Sequence, residues 1–99
     1  DVTAATQALV ARQAPSGLYH CVNSGMATWL TVAQCLREWS GCADVPVKAV
    51  RAADVNLKAR RPRFAALSNA RLATFGINMP DWSDALERHV AAWRQRVTP

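Results

Sequence analysis

The sequence has few acidic residues, and it lacks the cysteine patterns and long apolar runs that mark several classes of protein. Seven Asp and Glu residues stand against 12 Lys and Arg, which gives a net charge of +5. The three cysteines, Cys21, Cys35 and Cys42, include no Cys-x-x-Cys pair and have no histidine at metal-ligand spacing, so neither a disulfide framework nor a metal site is predicted. No apolar run reaches the ~18 residues of a membrane span, and the start shows no signal-peptide pattern. We expect a cytoplasmic protein with reduced thiols, no metal and no membrane partner.

The short motifs that identify common enzymes are also missing. The chain has no Gly-x-Gly-x-x-Gly, no Walker loop, no His-Glu-x-x-His and no Gly-x-Ser-x-Gly. Tyr19 is the only tyrosine, and no lysine follows it four residues later, so the Tyr and Lys pair of a ketone-reducing dehydrogenase is absent. We therefore assign no catalytic residues, and we expect the chain to be inactive alone.

Length and composition indicate one ordinary globular domain covering residues 1–99. The chain is 51% hydrophobic and 19% charged, without repeats or low-complexity segments. It begins at Asp1 rather than at a methionine, which predicts a fragment of a longer protein.

Apolar spacing and turn residues predict an α/β fold. Helices are predicted at 2–12, 29–39, 69–75 and 80–97, and short strands at 18–22 and 45–50. A strand, a helix and a strand in succession imply a right-handed crossover with parallel strands. The predicted fold class is thus a small helix-rich α/β domain with about two short parallel strands and four helices.

Arginine supplies ten of the 12 basic residues, with a cluster at Arg60, Arg61 and Arg63. A guanidinium group can bind phosphate in a bidentate manner, so the cluster favours an anionic partner. The remaining arginines are scattered and no nucleic-acid-reading motif is present, which disfavours a DNA- or RNA-binding domain.

Two segments resemble the C-terminal end of the dTDP-4-dehydrorhamnose reductase family, which are extended short-chain dehydrogenases acting on nucleotide-linked 4-keto sugars. The first segment resembles the family's strand, its Asn-x-Gly turn and its Ser-Trp helix start. The second segment resembles the family's closing pattern of Arg-Pro, Leu-Ser-Asn, Lys-Leu, Gly and Pro-x-Trp. Arg71 and Val32 depart from the family's usual Lys and Phe. The residues at the positions of the pattern, these two departures included, are Gly17 to His20, Asn23 to Gly25, Thr28, Trp29, Val32 and Ala33 in the first segment, and Arg61, Pro62, Leu67 to Asn69, Arg71, Leu72, Gly76, Pro80, Trp82 and Leu86 in the second.

This resemblance implies a two-part enzyme. An N-terminal Rossmann domain would bind NADPH or NADH and supply the Tyr and Lys, and the C-terminal part would bind the nucleotide-diphosphate sugar in the crevice between them. The chain would be that C-terminal part, a portion of a Rossmann-type reductase that binds no cofactor itself. The same resemblance leaves open a non-catalytic regulatory module, or a fragment of a sugar-nucleotide epimerase or dehydratase.

The resemblance directs attention to the arginine cluster as a substrate site. Arg61, with Arg63 in support, is the candidate for contact with the diphosphate, because the preceding loop can be aimed at a crevice. The alternative for Arg61 is an ion pair with Asp54 or Asp81 that holds the loop in place.

Two further residues are candidates for contact with the sugar or base. Trp29 could stack on a ring from its helix start, or it could pack against a neighbouring helix. Asn23 could contact ligand, or it could close its own turn. A chain without its Rossmann partner should also expose apolar surface on the first helix and beside residues 18–22, so self-association is predicted.

Overall fold

The computed structural model describes residues 1–97, in which four α-helices follow the predicted order. Residues 98 and 99, the end of the predicted 1–99 domain, lie outside the described part. The helices are α1 (Val2–Ala11), α2 (Trp29–Trp39), α3 (Ala70–Ala73) and α4 (Trp82–Val97), with a short 3-10 helix at Ala52–Asp54 between α2 and α3.

The predicted α/β fold with two parallel strands is wrong. Residues 1–97 contain no β-sheet, and their only strand-like pairing is an isolated parallel bridge between Ser24 and Asp81. The segments 18–22 and 45–50 form no ladder, although their composition suits strands. Strand propensity describes a side chain on a pleated surface, and it does not supply the neighbouring strand that a ladder requires. The Rossmann-type architecture expected from the resemblance is therefore not shown by the structure.

Local hydrogen bonds explain where the helices begin. Thr28 caps α2, since its Oγ1 accepts a hydrogen bond from the backbone N–H of Thr31 at 3.1 Å. The Ser68 hydroxyl accepts from the N–H of Ala70 at 3.2 Å at the start of α3. This helix is shorter than the predicted 69–75, because Asn69 is the N-cap residue and Gly76 ends the turn that follows.

A left-handed residue closes α3, and the same geometry closes α1. The N–H of Gly76 (φ 68°) donates to the carbonyl of Ala73 at 2.9 Å, and the N–H of Ile77 to that of Leu72 at 3.2 Å. These two bonds form a Schellman motif, in which glycine is favoured. At the end of α1 the equivalent left-handed position is Gln13, with φ 51°.

The chain divides into two compact units. The first unit comprises residues 1–26 and 66–89, and its core consists of the buried side chains of Ala5, Leu72, Ile77 and Met79. Ala8, Leu9, Tyr19, Cys21 and Phe75 pack around this core.

The second unit comprises residues 27–65 and the chain from residue 90 onward. Val90 is its one buried hydrophobic residue among those described. Helix α2 has the predicted apolar spacing, yet none of its residues is buried, and Trp29 is 89% exposed. The apolar face of α2 is therefore only half-buried within the described chain.

Candidate functional site

Arg61 and Arg63 lie on an exposed segment between the 3-10 helix and α3. Both side chains are exposed, and neither makes a hydrogen bond or an ion pair with any residue in 1–97. They flank Pro62, so two guanidinium groups are available within three consecutive residues. Such a pair can donate several hydrogen bonds to an anion.

The carboxylates considered as partners for Arg61 are engaged elsewhere. Asp54 accepts hydrogen bonds from Arg51 Nε at 2.8 Å and Arg51 Nη2 at 3.1 Å, and this carboxylate raises the pKa of the Arg51 guanidinium above its ordinary value. Asp81 Oδ1 accepts from the Ser83 hydroxyl at 2.6 Å and the Ser83 N–H at 2.9 Å, and these bonds lower the pKa of Asp81. Neither carboxylate bonds to Arg61.

Trp29 belongs to the same compact unit as the two arginines and is the first residue of α2. Its indole is 89% exposed. A tryptophan this exposed contributes little to the core of the described chain, and it presents a flat aromatic face on which a ring can stack.

Charge is distributed unequally between the two units. The second unit carries nine Lys and Arg against three Asp and Glu, a net charge of +6, whereas the first unit carries three against four. The positive potential of the chain therefore originates from the unit that contains Arg61 and Arg63. An excess of one sign raises the local concentration of oppositely charged ligands.

Asn23 belongs to the other unit and has a structural role there. Its Nδ2 donates to Asp1 Oδ2 at 2.9 Å and to the carbonyl of Pro80 at 3.3 Å, which ties its turn to two distant segments. Asp1 Oδ2 also accepts from Arg88 Nη2 at 2.6 Å. The amide nitrogen of Asn23 is thus occupied, and Oδ1 is its only polar side-chain atom that no residue in 1–97 engages.

The turn of Asn23, Ser24 and Gly25 is bonded closely to the start of α4. The N–H of Ser24 donates to the carbonyl of Pro80 at 2.8 Å, and its hydroxyl donates to the carbonyl of Met79 at 2.8 Å. The carbonyl of Ser24 accepts a hydrogen bond from the N–H of Trp82 at 2.9 Å. Gly25 has φ 83°, and a Cβ there would lie 2.6 Å from Asp81 Oδ2. The Asn-x-Gly and Pro-x-Trp motifs that carry the resemblance therefore bind to each other and build the scaffold.

Asn69, the N-cap residue of α3, and Arg71, within α3, bind the segment 18–22 that precedes this turn. Neither role was predicted from the sequence. Asn69 accepts the N–H of Val22 at 3.1 Å and donates to the Val22 carbonyl at 2.7 Å. Arg71 donates to the carbonyl of Leu18 at 2.6 Å, and its guanidinium lies 4.2 Å from the centre of the Tyr19 ring. The only sequence signal for these contacts was the place of both residues in the Leu-Ser-Asn and Lys-Leu pattern.

The first unit also contains an open groove of about 440 Å³. None of the four predicted site residues lines it. No group of His, Cys, Asp or Glu in residues 1–97 is arranged to hold a metal ion, and none of the helices described is long and apolar enough to cross a membrane. The lining residues of the groove are Ser24, Gly25, Leu67, Ser68, Asn69, Ala70, Ala73, Ile77, Asn78 and Met79.

Within residues 1–97, Arg61 and Arg63 have no protein partner and Trp29 is exposed, and all three belong to the unit of net positive charge. The comparisons with known proteins identify the class of the chain. The family model of the RmlD substrate binding domain matches residues 1–95. The chain belongs to this family of substrate-binding domains, which confirms the resemblance and makes it a member of a sugar-nucleotide biosynthesis family.

One curated relative is the spore coat polysaccharide biosynthesis protein SpsK of Bacillus subtilis (strain 168). It is 30% identical to this chain over 76 residues, which cover 77% of the chain and 26% of that protein. The matched region thus spans about a quarter of the relative's length. No solved structure matches the chain.

Proposed function

We propose that the chain is the nucleotide-sugar-binding part of an NAD(P)H-dependent 4-keto-sugar-nucleotide reductase similar to dTDP-4-dehydrorhamnose reductase. The observation that carries the proposal is the match of residues 1–95 to the RmlD substrate binding domain. The polysaccharide-biosynthesis name of SpsK is consistent with it. A separate Rossmann domain would bind the NADPH or NADH and supply the catalytic Tyr and Lys, so this chain alone binds substrate without turning it over.

In this proposal the arginine pair binds the diphosphate. A diphosphate offers several acceptor oxygens and at least two negative charges, which suits two guanidinium groups on one segment. The exposed and unpaired state of Arg61 and Arg63 supports this role, as does the charge of their unit. Trp29, which belongs to the same unit, would stack on the base or the sugar.

The test is the affinity for dTDP of the wild-type chain and of Arg61→Ala and Arg63→Ala, measured by isothermal titration calorimetry and by tryptophan fluorescence. Each substitution should weaken binding roughly ten- to a hundredfold, because it removes hydrogen bonds to a charged group. Arg51→Ala is the matched control: Arg51 is also an exposed arginine of the second unit, but it already pairs with Asp54, so dTDP affinity should change little.

Two results would contradict the proposal. One is equal loss of affinity in all three variants, which would indicate only a general effect of positive charge. The other is equal affinity for dTDP and thymidine, since thymidine has no phosphate for the arginines to bind. A reductase containing this chain, with a cofactor-binding domain, should in addition oxidise NADPH or NADH in the presence of a 4-keto sugar nucleotide.

A further inference from the structure

Phe64 is an exposed aromatic residue in the same segment as Arg61 and Arg63. It directly follows Arg63, and it keeps 72% of its accessible surface. Every residue from 48 to 68 is exposed, so the segment around Phe64 has no packed surroundings in the described chain. The ring therefore contributes little to the packing of residues 1–97, and its flat apolar face is accessible to a ligand.

The chain itself keeps this ring close to the two arginines. Three residues of fully extended backbone span at most about 11 Å, which is the upper limit for the separation of Arg61 and Phe64. The backbone bends at Arg63, and this bend shortens the separation further. In a nucleoside diphosphate the base is joined to the phosphates through a single pentose, so it lies a comparable distance from them. A ligand whose diphosphate binds Arg61 and Arg63 can therefore place its base on Phe64.

The residues around Phe64 suit a nucleotide better than they suit a protein surface. Residues 57–67 contain four Lys and Arg and no Asp or Glu. The core of a protein–protein interface is depleted of charged residues, so a docked domain would have to cover these cations at a cost. A second copy of the segment would bring like charges together. A nucleotide instead supplies an anionic group for the arginines and a flat ring for Phe64.

We propose that Phe64 stacks on the base of the nucleotide, and that the site therefore accepts nucleoside diphosphates with either a purine or a pyrimidine base. Every base has a π-face, so stacking on an aromatic ring does not discriminate between bases. The only hydrogen-bonding side chains in residues 57–67 are the four cations, which provide no acceptor for reading the edge of a base. The inference rests on the proposed function, in which Arg61 and Arg63 bind the diphosphate, and it leaves Trp29 for the sugar.

The test is isothermal titration calorimetry of the whole chain with dTDP, ADP and inorganic pyrophosphate. The wild-type chain should bind dTDP and ADP with dissociation constants within about threefold of each other, since stacking tolerates either base. Phe64→Ala should weaken the binding of both nucleotides roughly tenfold, because it removes the ring on which the base stacks. The same substitution should leave pyrophosphate affinity unchanged, since pyrophosphate has no base. Phe64→Trp keeps an aromatic face and should retain the affinity for both nucleotides.

Val50→Ala is the matched control, because Val50 is also an exposed apolar residue of the second unit beside an arginine, but Arg51 already pairs with Asp54. This variant should bind all three ligands as the wild type does.

Arg61→Ala separates this inference from the proposed function. It should weaken the binding of all three ligands, and if it leaves them unchanged the proposed function fails, and the role of Phe64 fails with it. Where Arg61→Ala has its expected effect, three results would overturn the inference alone. They are nucleotide affinities that Phe64→Ala does not alter, an equal loss of pyrophosphate affinity in that variant, and a wild-type affinity for ADP more than about tenfold below that for dTDP.

Discussion

Gly25 shows how one residue can connect two sequence motifs. Its φ of 83° lies in the left-handed region, which costs a side-chain-bearing residue about 1–2 kcal/mol. An added Cβ would also lie 2.6 Å from Asp81 Oδ2 and 3.0 Å from Trp82 Cδ1. Asp81 cannot simply rotate away, because its Oδ1 holds the hydroxyl and the N–H of Ser83 at the start of α4. A side chain at position 25 therefore disturbs both the turn and the helix start.

The resulting prediction compares Gly25→Ala with Gly76→Ala. Gly76 also has a left-handed φ, 68°, and belongs to the same unit, but no atom lies within 4 Å of a Cβ added there. Gly25→Ala should lower the free energy of unfolding by about 2–4 kcal/mol, and Gly76→Ala by about 1–2 kcal/mol. Urea denaturation followed by far-ultraviolet circular dichroism measures both. Equal losses would show that backbone conformation alone, and not the contact with Asp81, decides the cost.

At the scale of elements, Asn69 takes the place of a neighbouring strand. Its side-chain amide accepts from the N–H and donates to the C=O of the same residue, Val22, as the opposite residue of a paired strand would, across 47 positions of sequence. Asn69→Asp removes the donor and places a carboxylate oxygen against the Val22 carbonyl. We expect a loss of about 1–3 kcal/mol in unfolding free energy, since a half-buried acceptor loses its partner.

Asn78→Asp is the control for this substitution. Asn78 is exposed, and its side chain makes no hydrogen bond with a residue in 1–97, so the same chemical change there should alter stability by less than about 0.5 kcal/mol. Thermal and urea denaturation of both variants measure the two changes in unfolding free energy. Comparable losses at the two positions would mean that the added charge, rather than the lost donor, is responsible.

The elements also show what the sequence could and could not predict. Helix starts and ends depend on near neighbours, so Thr28 and Gly76 were recognisable from their type and place. The strands were wrong because pairing depends on a distant partner, which propensity cannot reveal. The roles of Asn69 and Arg71 were missed for the same reason. The positions of Arg61 and Arg63 on an exposed loop were predictable from Pro62 and the lack of periodicity. The exposure of Trp29 was not predictable, because apolar spacing identifies one face of a helix but not the residues that pack against it.

For the molecule as a whole, the two units differ in both charge and core. The first unit has four buried hydrophobic residues and is close to neutral, whereas the second carries the positive charge and buries Val90 alone among its described residues. Burial of apolar side chains is the main stabilising contribution to folding. The unit proposed to bind the ligand is therefore the one with the smaller core, in keeping with the low stability common at ligand-binding segments.

This difference predicts that the two units open with different free energies. Native-state amide exchange at increasing urea should show the amides of α2 opening at a free energy lower by roughly 2 kcal/mol or more than those of Leu72 and Ile77, because α2 has no buried residue. A ligand that binds only the folded unit adds to its stability, so saturating dTDP should raise the protection of α2 under the proposed function. Arg61→Ala should reduce that increase at the same dTDP concentration, since it weakens binding, without changing the exchange of Leu72 and Ile77. One common opening free energy for all these amides, with and without dTDP, would show instead that residues 1–97 unfold as a single cooperative body.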